Sequence, residues 1–122
     1  HHKKGDWSSS LEDCQTLVGK DEFTHYWKGV FPDILPDVFQ PFCFIYIDVD
    51  TYQATYDAIN FFWNHLTRGG KLLIDDYGWE PCAGVKKAVD LAFPDDPDAL
   101  QRSGVASRRV VQSQYAYIVE KK

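Results

Sequence analysis

Two apolar runs, each stopping abruptly at acidic residues, constrain this chain more than any other feature. The first is Phe42-Cys43-Phe44-Ile45-Tyr46-Ile47-Asp48-Val49-Asp50 and the second is Lys71-Leu72-Leu73-Ile74-Asp75-Asp76-Tyr77-Gly78. Runs of this length, rich in Ile, Phe and Tyr and without polar alternation, read as strands covered on both faces, which is what parallel sheets require. Between them Tyr52, Tyr56, Ile59, Phe62, Trp63 and Leu66 recur at three- and four-residue spacing, a stripe suited to a helix lying on a sheet. Strand, helix and strand make one βαβ unit with both strands pointing the same way. Asp48, Asp50, Asp75 and Asp76 therefore gather at one edge, beyond the carboxyl ends of the strands, where open α/β sheets bind ligands.

The flanking segments read as follows. Leu11, Cys14, Leu17 and Val18 share a helical face, Ser9 with Glu12 fits a capping box, and Gly19 is a plausible stop. Residues 23–27 look like a short strand, and residues 32–35 like a single helical turn. Thr51 or Asp50 can cap the central helix, and Arg68-Gly69-Gly70 ends it and turns the chain into a strand over 71–74. A helix burying Val85, Ala88, Val89 and Ala92 follows the loop at 77–81. Residues 94–98 form an acidic, proline-bearing break. Two β-rich runs, 105–111 and 115–119, predict a closing antiparallel hairpin. With 122 residues, 44% of them hydrophobic, the chain suits one domain over 1–122.

A formal net charge of -5, with no basic cluster beyond Lys3-Lys4 and Lys86-Lys87, argues against a nucleic-acid surface. No stretch approaches the roughly 20 apolar residues that span a bilayer, and the N-terminus has no apolar signal core, so a soluble, cytoplasmic protein without membrane partners is expected. Cys14, Cys43 and Cys82 are widely separated and include no Cys-x-x-Cys pair; they read as reduced, structural thiols. His1-His2 receives no metal role, His25 reads as a packed or surface residue, and His65 suits the carbonyl pole of a helix.

Four carboxylates at one edge repel each other, so they need a compensating cation or raised pKa values. Oxygen ligands favour a hard ion, magnesium or calcium, and the lack of a nearby Cys or His pair disfavours zinc. Asp50 stands where a helix cap is wanted and reads as that cap. Asp48, Asp75 and Asp76, emerging from adjacent buried strands, read as the metal ligands. Trp79 and Glu80 follow the aspartate pair and could line an acceptor site.

Ile45-Tyr46-Ile47-Asp48-Val49-Asp50-Thr51-Tyr52, Phe61-Phe62, Gly69-Gly70-Lys71-Leu72-Leu73-Ile74-Asp75-Asp76-Tyr77-Gly78 and Gly84-Val85-Lys86-Lys87-Ala88-Val89-Asp90 together resemble the macrocin O-methyltransferase family. Gly5-Asp6-Trp7-Ser8 and Lys28-Gly29-Val30-Phe31-Pro32-Asp33 are similar to it as well. The resemblance implies a class I, S-adenosylmethionine-dependent enzyme that methylates sugar or other small-molecule hydroxyls. It implies magnesium at Asp48, Asp75 and Asp76, with Asp48 as general base, and places Gly29, Val30 and Phe31 beside the cofactor's adenine. The implied fold is a truncated Rossmann-like sheet of parallel strands with flanking helices and a C-terminal antiparallel hairpin.

Only the later part of that family's domain is matched. The glycine-rich turn that holds the methionine end of the cofactor has no counterpart, since no Gly-x-Gly occurs. The expectation is therefore a chain that is not autonomous as an enzyme, and a sheet edge left open at Phe42–Ile47 that seeks another strand. A homodimer through that edge is expected. The competing reading is a non-catalytic, homodimeric α/β module that binds a small molecule or protein, which exposure of Trp7, Trp27 and Trp79 would favour. A flavodoxin-like binding domain ranks last, because the Asp75-Asp76-Tyr77-Gly78 loop suits phosphate poorly.

Overall fold

The computed structural model describes residues 8–35 and 40–122; His1-His2, Lys3-Lys4 and Gly5-Asp6-Trp7 lie outside the described residues. Two compact units divide the chain, His1–Asp37 and Val38–Lys122.

In the first unit, helix α1 spans Leu11–Val18 and ends at Gly19. Its capping box is Ser10 with Asp13: Asp13 N donates to Ser10 Oγ at 3.0 Å, and Ser10 N donates to Asp13 Oδ2 at 3.3 Å. The box thus sits one residue later than Ser9 and Glu12, because the shorter Asp side chain performs the same reciprocal bonding from the third helical position. Residues 23–27 are not a strand. Their bonds are local: Phe23 N donates to Asp21 Oδ1 at 2.9 Å and the Tyr26 hydroxyl donates to Gly19 O at 2.6 Å. β-prone residues without a neighbouring strand have no ladder to join. The turn expected at 32–35 is present, with Leu35 N donating to Pro32 O at 3.0 Å.

The second unit is an α/β sandwich. Strand β1 (Phe42–Ile47), helix α2 (Tyr52–His65) and strand β2 (Leu66–Ile74) lead through a 3-10 turn at Glu80–Cys82 into helix α3 (Ala83–Ala92). A short helix α4 (Pro97–Arg102) and strands β3 (Val105–Val111) and β4 (Ala116–Lys121) complete it. The sheet order is β1-β2-β4-β3, with β1 and β2 parallel and the other pairs antiparallel. This is an open mixed sheet, and the hairpin folds back so that β4, not β3, lies against β2.

The core lies on one face of the sheet. Ile45, Ile47, Leu72, Ile74, Tyr117 and Val119 are buried there with Ala58 and Ile59 of α2 and Val85, Ala88 and Val89 of α3. The expectation that the central run is covered on both faces is not met. Phe44 and Tyr46 are 55% and 51% exposed, and burial along the end of β1 alternates as it does in a strand with one open face.

The β1–β2 register jumps from Phe42 opposite Leu66 to Phe44 opposite Lys71, so residues 67–70 bulge from the ladder. The helix therefore ends at His65 rather than at Arg68, and Gly69, at φ +74°, sits inside the irregular start of β2. Lys121 fastens this corner: its Nζ donates to Trp63 O at 2.7 Å and Leu66 O at 2.9 Å. A cation on the last carbonyls of a helix satisfies acceptors that have no intrahelical donor and complements the helix dipole. Trp63 Nε1 in turn donates to Ser103 O at 3.1 Å.

Candidate active site

The parallel pairing of β1 with β2 sets Ile47 opposite Ile74, and the ladder continues one bond further, with Asp75 N donating to Ile47 O at 2.9 Å. Asp48 and Asp50 therefore leave β1 at the same edge at which Asp75 and Asp76 leave β2. Asp50 and Asp76 both adopt φ +57°. That left-handed geometry costs a non-glycine residue about 1 kcal/mol, although Asp tolerates it better than most.

Local bonding then returns the chain to this edge. Trp79 N donates to Asp76 O at 3.1 Å and Cys82 N to Trp79 O at 3.0 Å, a tight path that delivers Cys82 beside Asp76. From the other side, the start of α3 is pressed against the start of α2. A Cβ at Gly84 would lie 2.8 Å from Tyr52 N and 3.2 Å from Tyr52 Cα, so only glycine permits this approach. As a result, carboxylate oxygens of Asp50 and Asp76 and the Cys82 sulfur all lie within 4.8 Å of one another.

The electrostatics follow from that crowding. Partial burial, a hydrogen bond with Asp50 and the charges of Asp50 and Asp75 push the Asp76 carboxyl up to about 6. Asp48 is also raised, by partial burial first and then by Asp75 and Asp50. Cys82 is only 5% exposed; burial, and then the charges of Asp76 and Asp50, push its thiol up to about 11. It is therefore a protonated thiol at neutral pH. Asp75 is held differently: one oxygen accepts from the Tyr46 hydroxyl and the other from Asp76 N at 2.9 Å. The commitment of its proton to Asp75 raises the Tyr46 phenol well above its ordinary range.

The donor chemistry suits a hard cation. Of the expected ligands, only Asp76 belongs to this close group; Asp75 acts on Asp76, and Asp48 interacts with Asp75 and Asp50, through charge. The one sulfur in the group keeps its proton, which leaves oxygen ligands of the kind magnesium takes. Sequence reasoning placed Asp50 at this edge but read it as a helix cap, and missed Tyr46 and Cys82 as members of the cluster. Asp50 is not the cap of α2; that position belongs to Thr51, which makes no side-chain cap bond but accepts from Thr55 N through its backbone oxygen. The alternation of Tyr46 with buried Ile45 and Ile47 was the available signal for a tyrosine on the open face. For Cys82, the distance along the chain from Asp50 hid the contact.

The other candidates are placed as follows. Gly29, Val30 and Phe31 belong to the first unit, where a Cβ on Gly29 would collide with Ile34 Cγ2. Trp79 is partly buried and Glu80 exposed in the loop after Asp76. His65 Nδ1 donates to Phe61 O at 2.8 Å and its ring stacks on Phe61 at 4.5 Å, a structural role at the helix end. His25 is exposed, 5.9 Å from the ring of Trp27, itself 50% exposed.

An open mixed sheet whose parallel pair carries carboxylates at its carboxyl ends defines an α/β protein with its candidate site where such sheets bind ligands. The sequence model of the macrocin-O-methyltransferase (TylF) family matches residues 12–92, a span that includes every aspartate of the cluster. The chain belongs to that family and is methyltransferase-like. No curated protein matches the chain. No helix among the described residues is long and apolar enough to cross a membrane.

Proposed function

We propose that the chain carries the metal- and acceptor-binding side of an S-adenosylmethionine- and magnesium-dependent O-methyltransferase acting on a sugar or other small-molecule hydroxyl. The observation that carries this reading is the arrival of Asp48, Asp50, Asp75 and Asp76 at the carboxyl ends of β1 and β2, where partial burial first, and then the hydrogen bond with Asp50 and the charges of Asp50 and Asp75, lift Asp76 to about 6.

Asp48, Asp75 and Asp76 would hold the magnesium, and Asp50, in contact with Asp76, would join them. Bound magnesium lowers the pKa of an acceptor hydroxyl, and S-adenosylmethionine supplies the methyl group. The protein's own contribution is positional and acid–base. Asp75 is fixed at both oxygens, by Tyr46 and by Asp76 N, and so presents a constant edge to whatever binds there. Asp48 is exposed, and partial burial with the charges of Asp75 and Asp50 raises its carboxyl above the usual range, a shift in the direction that favours accepting a proton from the acceptor hydroxyl. Gly29, Val30 and Phe31 would flank the adenine. The absence of a Gly-x-Gly turn predicts weak cofactor binding and no autonomous turnover by this chain.

Calorimetry tests the reading directly. Magnesium should bind this chain, and S-adenosylmethionine should bind weakly and more tightly with the metal present. No heat from magnesium at millimolar concentration would remove the proposal.

A second reading rests on β1. Its only described neighbour is β2, and the exposed rings of Phe44 and Tyr46 stand beside its open edge. A homodimer through that edge, in a module that binds without catalysis, would cover it. Sedimentation as a monomer at micromolar concentration would exclude this.

A further inference from the structure

On the covered face of the sheet lies a cavity of about 410 Å³ between α3 and the hairpin, with Tyr77, the residue after Asp76, in its wall. Its wall is aromatic. The Phe93 ring stacks on Tyr117 with centroids 6.1 Å apart and planes 11° apart, and Tyr77 meets Tyr117 at 5.0 Å. Tyr117 is 2% exposed; Arg108 approaches its hydroxyl as a donor, but the buried O–H itself meets no acceptor. Burial raises that phenol, so at neutral pH it is an O–H donor lacking an acceptor. Buried donors are rarely left in that state unless water or a ligand completes them.

Cations surround the unused donor. The pairing of Arg108 with Val119, and of Val110 with Tyr117, puts Arg108 on the same face of the hairpin as the tyrosine, close enough for its charge to act on the phenol. Its partner is Asp95, whose side chain is 91% exposed and is thus an easily exchanged counter-ion. Lys86 stands 5.1 Å over the Tyr77 ring and pairs with Asp90 at 2.5 Å. Arg109 alternates to the other face of the hairpin, so the cations on this side are Arg108 and Lys86, against Asp90 and Asp95; exchange of Asp95 leaves one positive charge over, which suits a guest of one negative charge better than a dianion.

We propose that this cavity binds a small aromatic carboxylate. The carboxylate replaces Asp95 on Arg108 and accepts the Tyr117 hydroxyl bond, while its ring packs among Phe93, Tyr77 and Tyr117. The volume lies within the range of small-molecule sites, and a planar guanidinium matches a carboxylate with two bonds. This site shares no residue with the aspartate cluster and does not rest on the methyltransferase reading.

Titration of the full chain with benzoate, acetate and inorganic phosphate, followed by amide chemical shifts, tests it. Benzoate should bind saturably at millimolar concentration, shifting residues of α3 and the hairpin, with acetate and phosphate each weaker. Tyr117→Phe should weaken benzoate about tenfold, the loss of one hydrogen bond to a charged acceptor. Asp95→Asn alters only an exposed side chain, keeps the fold, and should tighten binding by removing the competitor. No saturation by benzoate, phosphate binding at least as tightly, or an Asp95→Asn affinity equal to or weaker than that of the parent chain would each overturn the proposal.

Discussion

The hydroxyl of Tyr46, on the open face of β1, donates to Asp75 Oδ2 at the end of β2. The bond ties the tips of the two parallel strands together across the candidate site, and it holds one carboxylate still while its neighbours crowd each other. Tyr46→Phe should leave the fold intact, since the ring is half exposed. It should lower stability by about 1 kcal/mol, the usual worth of a hydrogen bond to a charged acceptor at a partly solvated site. Urea denaturation measures the loss. A tyrosinate absorbance titration should also lose its highest-titrating component.

The raised Asp76 carboxyl makes a stability prediction with a definite sign. Folded Asp76 titrates at about 6 against 3.8 for the free group, so between those pH values the folded state holds more proton than the unfolded state. Stability contributed by this group is present below about pH 4 and lost as pH rises to about 6. Solvent screening reduces the effect to about 1 kcal/mol. Asp76→Asn should flatten the pH dependence of unfolding over that window relative to the parent chain. Denaturation midpoints at pH 4, 5 and 7 decide it, and an unchanged slope would refute the assignment.

Magnesium should counter the same repulsion. At tenfold excess over its Kd, a ligand specific for the folded state adds about 1.4 kcal/mol, which raises Tm by several degrees in a domain of this size. Asp75→Asn with Asp76→Asn should abolish the rise. A double variant that still responds to magnesium like the parent would place the cation elsewhere.

Gly84→Ala should destabilise the chain by about 1–3 kcal/mol, because its Cβ would meet backbone atoms of Tyr52 that cannot step aside like a side-chain end. Thermal unfolding checks the magnitude. The same variant should reduce the magnesium response, since the Gly84–Tyr52 approach is what brings the start of α3, and with it Cys82, to Asp50.

Lys121→Met keeps the length of the side chain and removes its charge and donors. The carbonyls of Trp63 and Leu66 would lose their partner, with an expected loss of about 1–2 kcal/mol. Hydrogen exchange should quicken first in the last turn of α2.

The central βαβ unit was legible because its signal is long and periodic. Strand tips ending in Asp48 and Asp75 follow from parallel pairing alone, and the hairpin appeared within a residue or two of its expected place. Other features depended on partners that periodicity does not encode. Residues 23–27 have strand-forming side chains but bond locally, and Phe44 and Tyr46 belong to a face that the apolar run gave no reason to leave open. Helix α4 was readable yet overlooked in the acidic break. Asp96 accepts from Asp98 N and Ala99 N at 2.8 and 3.0 Å, and Pro97 opens the first turn, a cap pattern written in three consecutive residues. At the candidate site, parallel pairing accounts for the arrival of Asp48, Asp50, Asp75 and Asp76 at one edge. Asp50 and Cys82 meet only because a glycine lets two helix starts touch.

The sheet order also fixes a sequence of events during synthesis. β2 is emitted from the ribosome with β1 already available on one side, but its other neighbour is β4, which is made after β3. Until Ala116–Lys121 emerges, β2 has one bare edge, Leu72 and Ile74 lack their cross-strand partners Val119 and Tyr117, and the end of α2 lacks the ammonium of Lys121. Completion of the sheet therefore waits on β4, and a nascent chain arrested before it carries a bare edge on β2 open to pairing with other strands.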